Sequence, residues 1–257
     1  NEWGTQVDPE KVEAALKANP DAKVLAFVHA ETSTGVRSDA KTLCALAQEY
    51  GCLSIVDSVT GLAGIELEVD AWNADVTYSG TQKCLSAPPG ISLITFSDKA
   101  AAQVKARNTP VQSWFLDLSL LMAYWEGDGA RTYHHTAPVN AMYGLHEALL
   151  MVQEEGLENS WNRHRAMHGV LVENLNSIGL EFVVDASYRL PQLNLVKIPE
   201  GVDEAAVRKR LLSEFNLEIG AGLGAFAGKV WRIGLMGYSA RQENIQLCSS
   251  ALKHCMR

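Results

Sequence analysis

VTYSGTQKCLSAPPGISLITFS, residues 76–97, sets a lysine between two apolar runs. Lys83 follows a segment of small polar residues and precedes Ala87-Pro88-Pro89-Gly90. A lysine at the mouth of two buried strands needs its charge explained, because an unpaired ammonium is costly to take out of water. Working outward, DVTY (75–78) and ISLITF (91–96) read as strands on either side of the lysine loop. Upstream, KVLAFV (23–28) and CLSIV (52–56) are short continuous apolar runs, the pattern of strands buried on both faces. Between them SDAKTLCALAQEYG (38–51) reads as a helix capped by Ser38 or Asp39 and stopped at Gly51. Strand, helix and strand of this length predict a parallel pair joined by a right-handed crossover.

Each of these runs ends in polar residues: KVLAFV at His29-Ala30-Glu31-Thr32, CLSIV at Asp57-Ser58, and DVTY at Ser79-Gly80-Thr81-Gln82-Lys83. The carboxyl ends of strands in an open parallel sheet share one edge, and ligands bind there. A hydroxyl, a carboxylate and a lysine therefore come onto a single rim. Taken singly, Asp57 reads as a helix cap, Thr32 as a turn residue and Lys83 as a surface charge. Taken together they read as a site. Pyridoxal phosphate suits this set: the lysine amine condenses with its aldehyde, and the carboxylate keeps its pyridine nitrogen protonated so that the ring accepts electrons. Condensed in this way the lysine has lost its ammonium charge, which accounts for its place between apolar strands.

The chain has 257 residues, 47% of them hydrophobic, and a formal net charge of −8. With neither basic stripe nor basic tail, that charge argues against nucleic acid or an anionic membrane as partner. No apolar run approaches a membrane-spanning length. Five scattered cysteines without CxxC spacing argue against a disulfide framework or a zinc site and favour a reducing compartment, taken as the cytoplasm. Downstream of the lysine, 98–107 reads as a surface helix. Residues 110–137 are rich in aromatic residues, Pro138 to Glu155 reads as a long helix, and 157–179 as another. EFVV (181–184), LNLVKI (193–198), LEIGA (217–221) and VWRIGL (230–235) read as strands around a helix near 203–215, with a last helix from about 241. Leu145, Leu149 and Val152 are expected in the core. GAGLGAFAG (220–228) opens no helix and reads as a flexible loop rather than a dinucleotide fingerprint. His164 and His168 have the spacing of a metal pair, but Arg163 and Arg165 beside them favour a solvated helix face.

HAETSTG (29–35), SIVDSVTGLAG (54–64), YSGTQKCLSAPPGISLITFS (78–97), TYHHTAP (132–138) and VWRIGLMG (230–237) resemble, in order, the class V aminotransferases of fold type I. Within that family the likeness is to the alanine–glyoxylate and serine–pyruvate aminotransferase group. The resemblance implies an α/β fold: a large domain with a mostly parallel sheet and a smaller C-terminal α/β domain. It places the remaining part of the cofactor-binding domain at 1–137, a connecting helix at 138–160 and the small domain at 161–257. Lys83 would form the Schiff base with pyridoxal 5'-phosphate and shuttle the substrate's α-proton. Asp57 would pair with the pyridinium, Thr32 would lie near the ring oxygen, Val59 would pack on a ring face, and Gln82 would reach the phosphate. Tyr133 and Thr136 would contact the phosphate of the neighbouring subunit's cofactor, making a homodimer with shared sites and His134-His135 at the subunit interface. Arg232 would grip the substrate carboxylate, a task suited to its forked guanidinium. Without the resemblance, Arg232 reads as an edge-strand charge.

The chain opens NEWGTQVDPEKVEAAL, without Met, at a ready-made helix start in which Asp8 caps and Pro9 takes the first helical position. This reads as a start in mid-fold, lacking the N-terminal part that in the family supplies the phosphate-cradling loop. The function implied is transamination between a small L-amino acid, alanine or serine, and glyoxylate or pyruvate. The alternatives are another donor such as ureidoglycine, or a truncated scaffold domain without catalysis.

Overall fold

The computed structural model describes residues 1–126 and 132–257. Asp8 accepts the Glu10 N–H and Pro9 takes the first turn, starting α1 (Pro9–Ala18). There follow β1 (Val24–Val28), a short antiparallel pair β2 (Ala30–Glu31) and β3 (Val36–Arg37), and α2 (Ala40–Glu49). Asp39 rather than Ser38 caps α2, its carboxylate accepting the Thr42 N–H. Next come β4 (Leu53–Asp57), β5 (Val76–Gly80), β6 (Ser92–Phe96), α3 (Asp98–Lys105) and α4 (Leu118–Glu126). The second half holds α5 (Val139–Glu155), α6 (Leu157–Ser177), β7 (Leu193–Lys197), α7 (Glu204–Phe215), β8 (Gly220–Ala221), β9 (Val230–Gly234) and α8 (Gln242–Cys255).

The first sheet runs in the order β1-β4-β5-β6. β1, β4 and β5 are parallel and β6 returns antiparallel through the lysine loop. The register sets Val28, Asp57 and Tyr78 side by side across the three parallel strands. The carboxyl ends of all three strands therefore lie on one edge, β5 running two residues further to Gly80. The expectation that KVLAFV is buried on both faces fails: β1 is an outer strand of this sheet and Val24 is 46% exposed. At the opposite end, Asp75 is buried ahead of β5, where it accepts hydrogen bonds from the Ser54 N–H and the Ser97 hydroxyl and pairs with Lys99 at 3.3 Å.

The second sheet is antiparallel, in the order β7-β9-β8. EFVV does not form a strand and makes only a bridge from Phe182 to Val196, while LEIGA shortens to the two residues of β8. Residues of α6, α7 and α8, among them Leu171, Leu211 and Leu252, close over this sheet around the fully buried Trp231. A smaller cluster joins the two sheets, with Ala30 and Ile65 from the first half against Leu190, Leu193, Leu195 and Val230 from the second. Gln192 Nε2 donates to Thr60 O at 2.8 Å and the Ser160 hydroxyl to Ala63 O at 2.7 Å, so buried polar groups bridge the halves as well.

Two expectations about the helices are corrected. His164 is fully buried: its Nδ1 meets Ser160 O at 2.7 Å and its Nε2 accepts the Gly237 N–H at 2.9 Å. His168 is also largely buried, against the Phe182 ring. Leu145 and Val152 pack beside the buried Cys84 and Leu85, but Leu149 is 44% exposed and lies outside the core.

Candidate active site

At the carboxyl end of β4 the Asp57 side chain is held at both oxygens. Oδ1 accepts the Val59 N–H at 2.9 Å, and Oδ2 accepts the Tyr78 hydroxyl at 2.7 Å. Burial and the neighbouring Asp57 charge both disfavour a phenolate, and push the Tyr78 pKa up to about 12. Tyr78 thus acts as a donor throughout the neutral range. The strand ends beneath are stitched together: the Ser58 N–H and hydroxyl both donate to Tyr78 O, at 2.9 and 2.8 Å, and the Ser79 hydroxyl donates to Ser58 O at 3.1 Å.

Lys83 stands three residues beyond β5 in a loop closed on itself. The Thr81 hydroxyl donates to Pro88 O at 2.6 Å, the Ala87 N–H to Thr81 O at 3.0 Å, and the Ser86 N–H to Lys83 O at 3.0 Å. These bonds fix the backbone of Lys83 and leave its half-buried side chain without hydrogen bond or ion pair among the described residues. Gln82 is exposed and its amide folds back over Gly80, where a Cβ would come within 2.7 Å of Oε1 and the flexible glutamine side chain would have to swing aside. Cys84, next to Lys83, is buried, and burial raises its thiol to about 12, so it is not a competing nucleophile.

Arg232 lies in β9, the central strand of the second sheet, and is therefore not an edge-strand charge. Its Nε donates to Ala221 O at 2.8 Å, and one terminal nitrogen donates to Thr32 O at 3.2 Å. That second bond carries the arginine to the rim of the first sheet and brings Arg232 and Thr32 together. The glycine-rich segment beside it opens only a single 3-10 turn, Gly224–Phe226, and its first residues belong to β8. Tyr133 and Thr136 are not joined to this group. Their hydroxyls bond to each other, both residues are exposed, and Tyr133 lies 63% open to solvent. His134 stacks on Trp114 with centroids 4.0 Å apart and donates from Nε2 to Trp114 O, and no cluster of three or more metal-ligating side chains occurs among the described residues.

The family model described as aminotransferase class V matches residues 2–247. The chain belongs to the class V aminotransferases. It is 42% identical over 250 residues to an alanine–glyoxylate aminotransferase of Callithrix jacchus, covering 96% of this chain and 60% of that protein. It is 38% identical over 270 residues to a (S)-ureidoglycine–glyoxylate transaminase of Bacillus subtilis, covering 98% of this chain and 64% of the relative. The crystal structure of an alanine–glyoxylate aminotransferase from Nostoc sp. superposes with a TM-score of 0.96 at 45% identity, over all of this chain and 67% of that one. The fold is that of the fold type I transferases, and the chain spans about 60–65% of the length of the curated relatives it matches.

Class V aminotransferases depend on pyridoxal phosphate. The residues on the rim fit that group. Asp57 is a carboxylate with two donors and no cationic side chain within ion-pair distance, while Lys83 and Arg232 have no carboxylate partner, all among the described residues. A carboxylate without a cationic partner suits a pyridinium, an unpaired lysine suits condensation of its neutral amine with an aldehyde, and an unpaired arginine suits a carboxylate. Tyr78 escapes a reading of motifs. The signal that finds it is the register: Asp57 and Tyr78 are facing residues on parallel neighbours, so their side chains share one face.

Proposed function

We propose that the protein transfers an amino group from a small L-amino acid, alanine or serine, to glyoxylate or pyruvate. The unpaired charges of Asp57, Lys83 and Arg232 on one rim carry this reading. Asp57 would hold the ring nitrogen of pyridoxal phosphate, Lys83 its aldehyde carbon, Val59 and Thr32 its ring, and Gln82 its phosphate. Bound there, the cofactor supplies an electron sink for the pair left when the substrate Cα–H bond breaks. The Lys83 amine would take that proton and hand it back, reaching from a backbone that its closed loop holds in place. Arg232 orients the carboxylate shared by amino donor and keto-acid acceptor, so one guanidinium serves both halves of the reaction.

Ureidoglycine as donor is the second reading, favoured by the Bacillus subtilis relative named for it. The exposed Tyr133–Thr136 pair and its aromatic surroundings, with Tyr124 against Tyr133 and Trp114 stacked on His134, support a homodimer in which these hydroxyls serve the neighbouring cofactor. Five buried, unpaired cysteines support a reducing compartment such as the cytoplasm. Among the described residues no helix is long and apolar enough to cross a membrane. The separate packing of α6, α7 and α8 over the second sheet supports a cofactor domain to 137, a connecting helix and a small domain beyond, although the helix α5 ends at Glu155 and the expected limit at 160 falls inside α6.

The decisive experiment is a visible absorption spectrum of the protein with pyridoxal phosphate, before and after L-alanine or L-serine. A protein-bound visible band that the amino acid bleaches is expected, and Lys83→Ala should abolish it while the far-ultraviolet circular dichroism stays unchanged. A band that survives Lys83→Ala would overturn the assignment of Lys83. No bound band at all would favour a scaffold without catalysis.

A further inference from the structure

We infer that Tyr78 is the positioning residue for Asp57, fixing the carboxylate toward the cofactor's ring nitrogen without neutralising it. The inference rests on the pyridoxal phosphate reading of the rim and adds to it a residue that no motif singles out. An aspartate at a strand end turns freely about two side-chain bonds, and each conformation it samples weakens a directed contact to a ring nitrogen. Here that freedom is removed from both sides. The Val59 N–H holds Oδ1 from within the same turn, and the Tyr78 hydroxyl holds Oδ2 from the adjacent strand. The Tyr78 backbone is itself held, because its carbonyl accepts two hydrogen bonds from Ser58 and its Cα lies in register with that of Asp57.

The chemistry of the donor matters as much as its position. A lysine or arginine in place of Tyr78 would hold the carboxylate as firmly, but it would pair with the very charge that a pyridinium needs. A phenol donates a proton and brings no net charge. Each carboxylate oxygen offers two lone-pair directions, so a further N–H donor can still be accepted at Asp57. Tyr78 keeps its own proton because burial and Asp57 both oppose its ionisation, so the donor role persists at any pH at which the protein works.

The test compares wild type with Tyr78→Phe, which removes one oxygen and keeps the ring that packs there. Titration with pyridoxal phosphate is expected to show the dissociation constant rising about tenfold in the variant. Titration with the analogue carrying carbon in place of the ring nitrogen should show no difference between the two proteins. An equal loss with both ligands would mean that Tyr78 acts only through general structure, and no loss with either would mean that it does not act on Asp57; each outcome overturns the inference. Failure of the wild type to bind pyridoxal phosphate would instead overturn the reading beneath it. A second arm needs no cofactor: nuclear magnetic resonance of ring-labelled tyrosine at pH 10.5. Tyr78 should remain protonated in the wild type, and its titration midpoint should move down in Asp57→Asn, with burial left as the remaining cause of the shift. A Tyr78 signal that titrates near 10 in the wild type would overturn the pairing itself.

Discussion

Arg232 shows how a single side chain can be built into a fold and still be kept available. Two of its N–H groups are committed to carbonyl oxygens, of Ala221 on one side and Thr32 on the other. Carbonyls hold the guanidinium in place without cancelling its charge, whereas a carboxylate would do both. The remaining N–H groups are left for an incoming anion. Replacing Arg232 by Ala should therefore raise the Michaelis constant for alanine about 10- to 100-fold, the worth of a charged hydrogen-bonded pair, with a much smaller change in kcat. Steady-state kinetics over a wide range of amino acid concentration measures this split, and a fall in kcat alone would remove Arg232 from substrate binding. Lys83 and Asp57 are legible because each stands where an apolar run gives way to polar residues, whereas Arg232 is legible only through the family resemblance, since its own run reads as an edge strand. What sequence could not supply is the company each keeps. The Thr32–Arg232 bond joins positions 200 residues apart, and Tyr78 looks like one more strand residue until the register of β4 and β5 is known.

Helix α6 is the element whose reading changed most. Its arginines and histidines look like a solvated face, and periodicity alone offers no reason to bury them. The reason lies elsewhere in the chain. The turn at Gly237 donates its N–H to His164, and the Glu155 carboxylate together with Gly237 O engages Arg163, so the polar face of α6 is covered by the segment that follows β9. Burial pushes the His164 and His168 pKa values down, and His168, which also faces Arg189, falls to about 4. A histidine whose folded pKa lies below its unfolded value near 6.5 leaves the unfolded chain binding more protons as acid is added. Stability from His168 is complete above about pH 6.5 and is lost as the pH falls from there toward 4, by roughly 2–3 kcal/mol. The groups that face His168 are Phe182, Asn194 and Arg189, none of them acidic, so no neighbouring carboxylate offsets the loss. Urea unfolding at pH 7 and pH 4.5 measures the effect, and His168→Gln should flatten the difference by about that amount. An unchanged slope in the variant would place the acid sensitivity elsewhere.

Each of the two sheets is built from nearby segments of the chain, but the junction between them is not. The strands of the first sheet and the shared edge at which they end follow from apolar runs with polar ends, a local signal, while their order comes from the structure. The junction is made of contacts with no local signal: Gln192 to Thr60, Ser160 to Ala63, and the backbone of 237–238 against the lysine loop. Gly237 is the closest of these approaches. It has φ +53, a Cβ there would stand 2.1 Å from Ser86 Oγ and 2.4 Å from Cys84 O, and the next N–H, of Tyr238, donates to Ser86 Oγ at 2.9 Å. The second half of the chain therefore grips the loop that carries Lys83, and the position of the amine depends on how closely the two halves meet. Gly237→Ala must either strain its own backbone or push the loop away, at a cost of roughly 2–4 kcal/mol. The displacement should appear first in the loop itself, as faster hydrogen exchange at the Ser86 and Ala87 amides, which close the turn around Lys83. Exchange in β4, in the middle of the first sheet, should change only by the global loss of stability. If the loop amides and β4 speed up by the same factor, the grip adds nothing to the position of Lys83 beyond holding the protein together; if the loop responds more strongly, the distant half of the fold sets the geometry of the amine.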